Sequence, residues 1–219
     1  MEIRMKHFLI VAGGEIEDAF VCRIIQEEHP TSVIAVDCGM DFFYRNKKMP
    51  DVIVGDFDSA EPESLTYFRR QGVRIKELSP MKDDTDTEAA LRLALQMGAE
   101  RITLLGAIGS RIDHMLANIE LLGIGLMAGV PMVMMDAKNK IRMADTGLTI
   151  KKCEQHGTYV SLLPYTPEVT HLTLRGFKYP LNDVILRGFC SLGISNEIIE
   201  EEAEILFGSG ILLVMETKD

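Results

Sequence analysis

The run Pro50-Asp51-Val52-Ile53-Val54-Gly55-Asp56-Phe57-Asp58-Ser59 decides how the rest of the chain is read. A short stretch of β-branched residues closes on a glycine and then on two carboxylates one residue apart. A run that is apolar throughout, rather than alternating, marks a strand buried on both faces of a parallel sheet. Residues i and i+2 of an extended chain point the same way. Asp56 and Asp58 are therefore expected to converge just past the carboxyl end of a strand, where open α/β sheets bind ligands. Two carboxylates that close repel unless a cation or a shared proton lies between them. Mg²⁺ is the expected cation, because it takes hard oxygen ligands and is usually held by one or two carboxylates plus substrate phosphates. Alone, an Asp-x-Asp at a strand exit is more often a turn or a helix cap. Two further motifs add weight: a second acidic knot, Lys82-Asp83-Asp84-Thr85-Asp86, and the loop Gly106-Ala107-Ile108-Gly109-Ser110-Arg111-Ile112-Asp113-His114.

Working outward, strands and helices alternate. Apolar runs at His7–Val11, Ser32–Val36, Val52–Val54, Val73–Leu78, Arg101–Leu105 and Pro131–Met135 read as strands. Between them Glu17–Glu28, Met40–Asn46, Pro62–Gln71, Thr87–Met97 and Arg111–Met127 read as helices. Ala89, Ala90, Leu93, Ala94 and Met97 fall at helical spacing, and Pro62 opens its helix where proline is tolerated. The alternation predicts a mostly parallel sheet with helices on both faces, an α/β/α sandwich. After about Lys138 the texture changes. Short segments at Ile141–Met143, Leu148–Ile150, Thr158–Leu163, Val169–Leu174, Val184–Leu186, Ile194–Ile199, Glu204–Phe207 and Ile211–Met215 are separated by turn residues, and no helix of useful length fits. That pattern predicts an all-β sandwich. The expected division is an α/β domain over 1–138 and a β domain over 139–219.

In the acidic knot, Asp83 and Asp86 flank the start of a helix, where the helix dipole favours their charged form. Capping accounts for one of its three acids. The surplus charge calls for a metal or cationic ligand, which points to Asp86 and, beside it, Asp83. In the third motif, Gly106 and Gly109 let the backbone approach a ligand and leave amides free at a helix N-terminus, an arrangement suited to phosphate. Arg111 offers a planar cation to phosphate oxygens. Asp113 and His114 are placed to orient it or to touch a nucleotide, although a helix-leading Asp-His is often only a cap. The P-loop and the dinucleotide fingerprint are both absent. A carboxylate-bound Mg²⁺ with a Gly/Arg phosphate loop indicates phosphoryl-type transfer, in which the protein positions groups and neutralises charge.

Composition bounds the partners. The 219 residues carry a formal net charge of -10, which argues against nucleic acid but not against a phosphate ligand. Cys22, Cys38, Cys153 and Cys190 show neither C-x-x-C nor zinc spacing, the pattern of reduced thiols in a cytoplasmic protein. No apolar run is long enough for a signal-peptide core or a membrane span.

With these residues in view, the chain resembles the bacterial thiamine pyrophosphokinases, nearly end to end. The resemblance is carried by Ile10-Val11-Ala12-Gly13-Gly14, Val36-Asp37-Cys38-Gly39, Gly55-Asp56-Phe57-Asp58-Ser59, Asp83-Asp84-Thr85-Asp86 and Gly106 to His114, with Leu116-Ala117-Asn118-Ile119 behind. It continues in the β half with Leu174 to Leu181 and Ser191-Leu192-Gly193-Ile194-Ser195-Asn196-Glu197. The resemblance implies that ATP and thiamine give AMP and thiamine diphosphate with Mg²⁺, in a cytoplasmic homodimer whose active sites lie at the subunit interface. It implies Asp56, Asp58 and Asp86 as the metal cluster, and those three with Arg111 as the catalytic set. Asp37, Gly39, Gly109, Arg111, Asp113 and His114 fall on the ATP side; Asp83, Ser195 and Asn196 fall on the thiamine side, the last two reached from the partner subunit. The chain departs from the family pattern at Asp84, where an uncharged residue such as Gln is usual, and at Ser110, where Gly is common. Some relatives stack thiamine on a Trp; this chain has none, and Phe189 and Phe207 are the candidate substitutes. Two other readings stay open: a pyrophosphokinase acting on another alcohol, such as a hydroxymethylpterin, and a non-catalytic nucleotide- or thiamine-binding regulator. The match at Ser195-Asn196 counts against the first, and the intact acidic cluster against the second.

Overall fold

The computed structural model describes residues 5–79, 81, 83–109 and 111–219. Lys82 of the acidic knot and the departure at Ser110 lie outside the described residues. The chain divides into two compact units, one ending at Ala137 and the other running from Lys138 to Asp219.

The first unit alternates β1 (His7–Val11), α1 (Asp18–Glu28), β2 (Ser32–Val36), α2 (Gly39–Arg45), β3 (Val52–Gly55) and α3 (Pro62–Arg70). It continues with β4 (Arg74–Glu77), α4 (Asp86–Gln96), β5 (Arg101–Leu105), α5 (Ile112–Ala128) and β6 (Met132–Met135). Its strands are all parallel, in the order β6-β5-β1-β2-β3-β4. Ile10 of β1 is in register with Ile34 on one side and Leu104 on the other, all three fully buried, as a two-sided apolar strand requires. Phe42, Phe43 and Phe68 fill the core on one side of the sheet. The edge strand β4 is shorter than the expected Val73–Leu78 and largely exposed. Its Arg74, Lys76 and Glu77 are charges of the kind that blunt an open sheet edge.

The strand order sets the site. The chain winds outward from β1 to β4, and α4 then packs back across β1, β2 and β3 to deliver β5 on the other side of β1. The connections after β1 and β5 therefore depart in opposite directions. A crevice opens between them at the carboxyl ends of the strands.

The amino ends are different. His7, only 6% exposed, places Nε2 2.9 Å from Thr103 Oγ1 and 3.2 Å from Glu28 Oε2. The Thr103 hydroxyl donates to Glu28 Oε2 (3.0 Å), and Arg101 donates to Glu28 Oε1 (3.2 Å). This polar knot satisfies itself, as buried polar groups must.

The second unit is antiparallel. One sheet runs β12 (Asn196–Glu197), β9 (Tyr159–Pro164), β14 (Leu212–Thr217), β7 (Asn139–Ala144). The other runs β11 (Leu181–Arg187), β10 (Glu168–Arg175), β13 (Glu202–Leu206), β8 (Leu148–Lys151). Val160, Leu162, Leu172, Leu186, Ile205 and Val214 meet in its apolar core. Among the described residues its helical structure is a single 3₁₀ turn at Lys152–Glu154. The expected strand Ile194–Ile199 shrinks to two residues, with Ser195 in a left-handed conformation (φ 55°) immediately before it, which interrupts the extended run.

Candidate active site

The crevice is a cavity of about 690 Å³, and every lining residue belongs to the first unit. Its floor is made by the loops after β1 and β5. Ala12 N–H donates to Leu105 O (2.8 Å) and Gly14 N–H to Gly106 O (2.7 Å), so the two loops are zipped together by main-chain bonds. Glycine is required here. Gly106 has φ 64°, and a Cβ on it would lie 2.3 Å from Ala12 O; a Cβ on Gly14 would lie 2.5 Å from Gly106 O. Gly106 thus serves the approach of one loop to the other, while Gly109 lines the cavity. From α5, Asn118 Nδ2 donates to Ala107 O (2.9 Å) and braces the floor.

One wall is carboxylate. Asp37 follows β2 with φ 48° and is half-buried, and its N–H is bonded to Val54 O (2.8 Å). Asp56 and Asp58 follow β3, its neighbour in the sheet. Asp37, Asp56 and Asp58 each offer an oxygen, and the three oxygens lie within 4.8 Å of one another. Asp37 Oδ1 is buried with no hydrogen-bond partner among the described residues. Burial pushes the Asp37 carboxyl above its ordinary value, and the charges of Asp86, Asp56 and Asp58 push it further, against a hydrogen bond from the Cys38 backbone. The same burial, with the charges of Asp37 and Asp41, pushes the Cys38 thiol up to about 11. An oxygen-only donor set with an unpaired buried oxygen and surplus negative charge suits a hard divalent cation.

Two expectations change here. The acidic pair does not converge along an extended strand. Phe57 has φ 63°, and Asp58 N–H turns back onto Asp56 Oδ1 at 3.3 Å, with the Ser59 hydroxyl on Asp58 Oδ1 at 2.8 Å. A turn, not the pleat, gathers the two carboxylates. Asp37, expected on the nucleotide side, stands with the pair that was expected to hold metal. The signal was present: Val36-Asp37 ends one apolar run as Gly55-Asp56 ends the next, and neighbouring parallel strands bring their carboxyl ends together. Gly55 permits the approach, since a Cβ there would lie 3.0 Å from Asp37 Cα. Asp86 lines the cavity and acts on Asp37 through its charge, outside the trio.

The acidic knot also resolves differently. No acid caps α4. Thr85 does, its hydroxyl accepting from Glu88 N–H at 3.2 Å. Thr85-Asp86-Thr87-Glu88 has the spacing of a capping box, a pattern legible in the sequence and overlooked there. Asp84 and Asp86 line the cavity; Asp83 is exposed and outside its lining. Arg111 and His114 also line the cavity, Arg111 bonded twice to Asp113 (3.2 and 2.6 Å). That pairing holds the Asp113 carboxyl down at about 2, so it stays charged and keeps the guanidinium oriented. Gly39 does not line the cavity. It opens α2, where a Cβ would lie 2.2 Å from Val11 O.

Ser195 and Asn196 lie in the second unit. Ser195 is exposed, with its N–H on Ser161 Oγ (2.9 Å). Asn196 is 4% exposed and its amide is engaged: Oδ1 accepts from Tyr179 N–H (3.0 Å) and Glu197 N–H (2.9 Å), and Nδ2 donates to Tyr179 O (2.8 Å). Its side chain fastens β12 to the segment that holds Tyr179. Of the two aromatic candidates, Phe207 packs against the core, whereas Phe189 stands fully exposed at φ 63°.

Residues 26–134 match the family model described as thiamin pyrophosphokinase, catalytic domain, and residues 146–212 match thiamin pyrophosphokinase, vitamin B1 binding domain. The thiamine pyrophosphokinase of Bacillus subtilis is 32% identical over 215 residues, 98% of this chain and 100% of that protein. Its crystal structure superposes with a TM-score of 0.89, covering 98% of this chain and 100% of that one. The thiamin pyrophosphokinase of Geobacillus thermodenitrificans superposes with a TM-score of 0.85 at 30% identity, covering 97% and 98% of the two chains.

Proposed function

The chain belongs to the thiamine pyrophosphokinase family, and we propose that it moves the pyrophosphoryl group of ATP onto the hydroxyl of thiamine, releasing AMP. The observation that carries this reading is the carboxylate trio, with an Asp37 oxygen unpaired among the described residues, at a glycine-floored cleft that Arg111 also lines. Asp37, Asp56 and Asp58, with Asp86 beside them, would hold Mg²⁺. Bound there, Mg²⁺ supplies charge neutralisation for the phosphates of ATP. The glycine floor admits phosphate close to the backbone, and Arg111, held by Asp113, meets the charge that develops during transfer. The oxygen of thiamine's primary alcohol forms a bond to the β-phosphorus. The bond from that phosphorus to the bridging oxygen of AMP breaks, and the alcohol proton passes to a carboxylate of the cluster, with Asp86 assigned that role. On the thiamine side, Ser195 offers the exposed hydroxyl, Asn196 holds its loop, and Phe189 offers an aromatic face.

The active form is read as a homodimer. Of the 17 residues of α5, an apolar helix, only Leu122 and Gly125 are buried, while Ile112, Leu116 and Met127 are exposed. Apolar side chains gathered on an exposed face are commonly covered by a partner. A light-scattering mass of one chain at working concentration would sink the dimer. The four cysteines are all free, in keeping with the cytoplasm, and no described helix is long and apolar enough to cross a membrane.

The deciding experiment is to incubate ATP, thiamine and Mg²⁺ and follow AMP and thiamine diphosphate, with a metal-free control. Metal-dependent formation of both is expected. AMP without thiamine diphosphate would move the reading to another alcohol, and neither product would leave a binding protein.

A further inference from the structure

Asp41 belongs to none of the groups assigned above, yet it is buried to 7% exposure beside them. It lies in the first turn of α2, four residues after Asp37, with its N–H on Cys38 O (3.0 Å). Its Oδ2 accepts from the main-chain N–H of Glu61 at 3.5 Å, and Glu61 is the N-cap of α3. Among the described residues its buried Oδ1 has no hydrogen-bond partner, nor has the hydroxyl of Ser64 in the first turn of α3. A carboxylate so buried and so sparsely bonded is costly to keep. Hydrophobic burial does not explain it, since an apolar residue would fill the space without that cost.

Its place in the chain does explain it. The segment from Asp56 to Ala60 carries two carboxylates of the trio. At one end it leaves β3, where Gly55 is paired in register with Glu77. At the other end it enters α3 at Glu61, whose N–H rests on Asp41. The helix that carries Asp41 begins immediately after Asp37 and Cys38, with Met40 N–H bonded to Asp37 O (3.1 Å). We propose that Asp41 is a positioning residue: it ties the helix that follows Asp37 to the exit of the Asp56–Asp58 loop, and so sets the spacing of the three carboxylates. Its charge also complements the positive end of α3. The inference rests on the reading of the trio as a cation site.

The test is Mn²⁺ binding to the purified protein without substrates, read from the electron paramagnetic resonance of free Mn²⁺, with thermal unfolding alongside. Asp41→Ala is expected to weaken Mn²⁺ binding roughly 10- to 100-fold, the usual cost of losing an outer support of a metal ligand. Asp41→Asn, which keeps an acceptor for the Glu61 N–H, is expected to restore most of it. Glu61→Pro approaches the same bond from the other side. Residue 61 already has φ -68°, the value proline fixes, so the change removes the donor and one exposed side chain without altering that backbone angle. It is expected to lower Mn²⁺ affinity as Asp41→Ala does, while the unfolding transition stays cooperative. Wild-type affinity in both Asp41→Ala and Glu61→Pro would overturn the inference and leave the cation site standing. Should Asp41→Ala not fold, Glu61→Pro alone decides. Equal Mn²⁺ binding by wild type and Asp56→Asn would remove the cation site itself, and the inference with it.

Discussion

The two edges of the parallel sheet handle buried polar groups in opposite ways. At the amino edge His7, Thr103, Glu28 and Arg101 close on one another. At the carboxyl edge Asp37 and Asp41 each keep an oxygen without a partner among the described residues, and like charges crowd together. Both edges belong to one parallel sheet of like apolar strands, so propensity does not separate them. What separates them is whether the polar groups complete themselves or await something from outside. A protein tolerates the second condition where it is used.

The sharpest way to break this contrast is Asp56→Asn. Turnover is expected to fall roughly 10²-fold or more, because the variant loses a ligand of the cation that would neutralise the phosphates. The melting temperature should stay close to wild type. Near-normal production of AMP and thiamine diphosphate would end the assignment of the carboxyl edge as the catalytic one. The amino edge should respond in the other currency. Glu28→Ala leaves His7, Thr103 and Arg101 without their common acceptor and is expected to cost about 1–3 kcal/mol of stability. Urea unfolding reads that loss, and turnover per folded molecule should not change; a large drop in turnover would mean that the edges are not separate.

The subtlest test concerns sign. Burial and neighbouring charges raise the Asp37 carboxyl above its ordinary 3.8. Such a group favours the fold while protonated. Its contribution is fully present below the unfolded value and is lost as pH rises through the folded one. At pH 7 and without metal, ionised Asp37 therefore works against folding, and Asp37→Asn should melt slightly higher than wild type. The gap should close as pH falls through the carboxylate range. Mg²⁺ should raise the wild-type melt and leave the variant nearly unmoved. A variant that melts lower at pH 7 would mean that Asp37 is already paired.

Much of this was readable from the residues alone. β1, β2 and β5 lie where their apolar runs place them, because a strand buried on both faces writes itself as an unbroken run with turn residues at its ends. β12 does not, since the left-handed turn at Ser195 is a backbone choice that its side chain does not announce. Each acidic motif could be picked out singly. Their grouping could not: Asp37 joins Asp56 and Asp58 only because β2 and β3 are neighbours, a fact of topology. Asn196 shows the converse. Its type suits a ligand, but Tyr179, brought to it by the turn between β10 and β11, takes both ends of its amide.

The zipped floor has a consequence for how a ligand is received. Loops free of each other would have to be ordered by the incoming molecule, and association would lose that conformational freedom at the moment of binding. Here Ala12 and Gly14 surrender it during folding, through their bonds to Leu105 and Gly106. The floor of the cavity is thus a preformed surface, set before any ligand arrives.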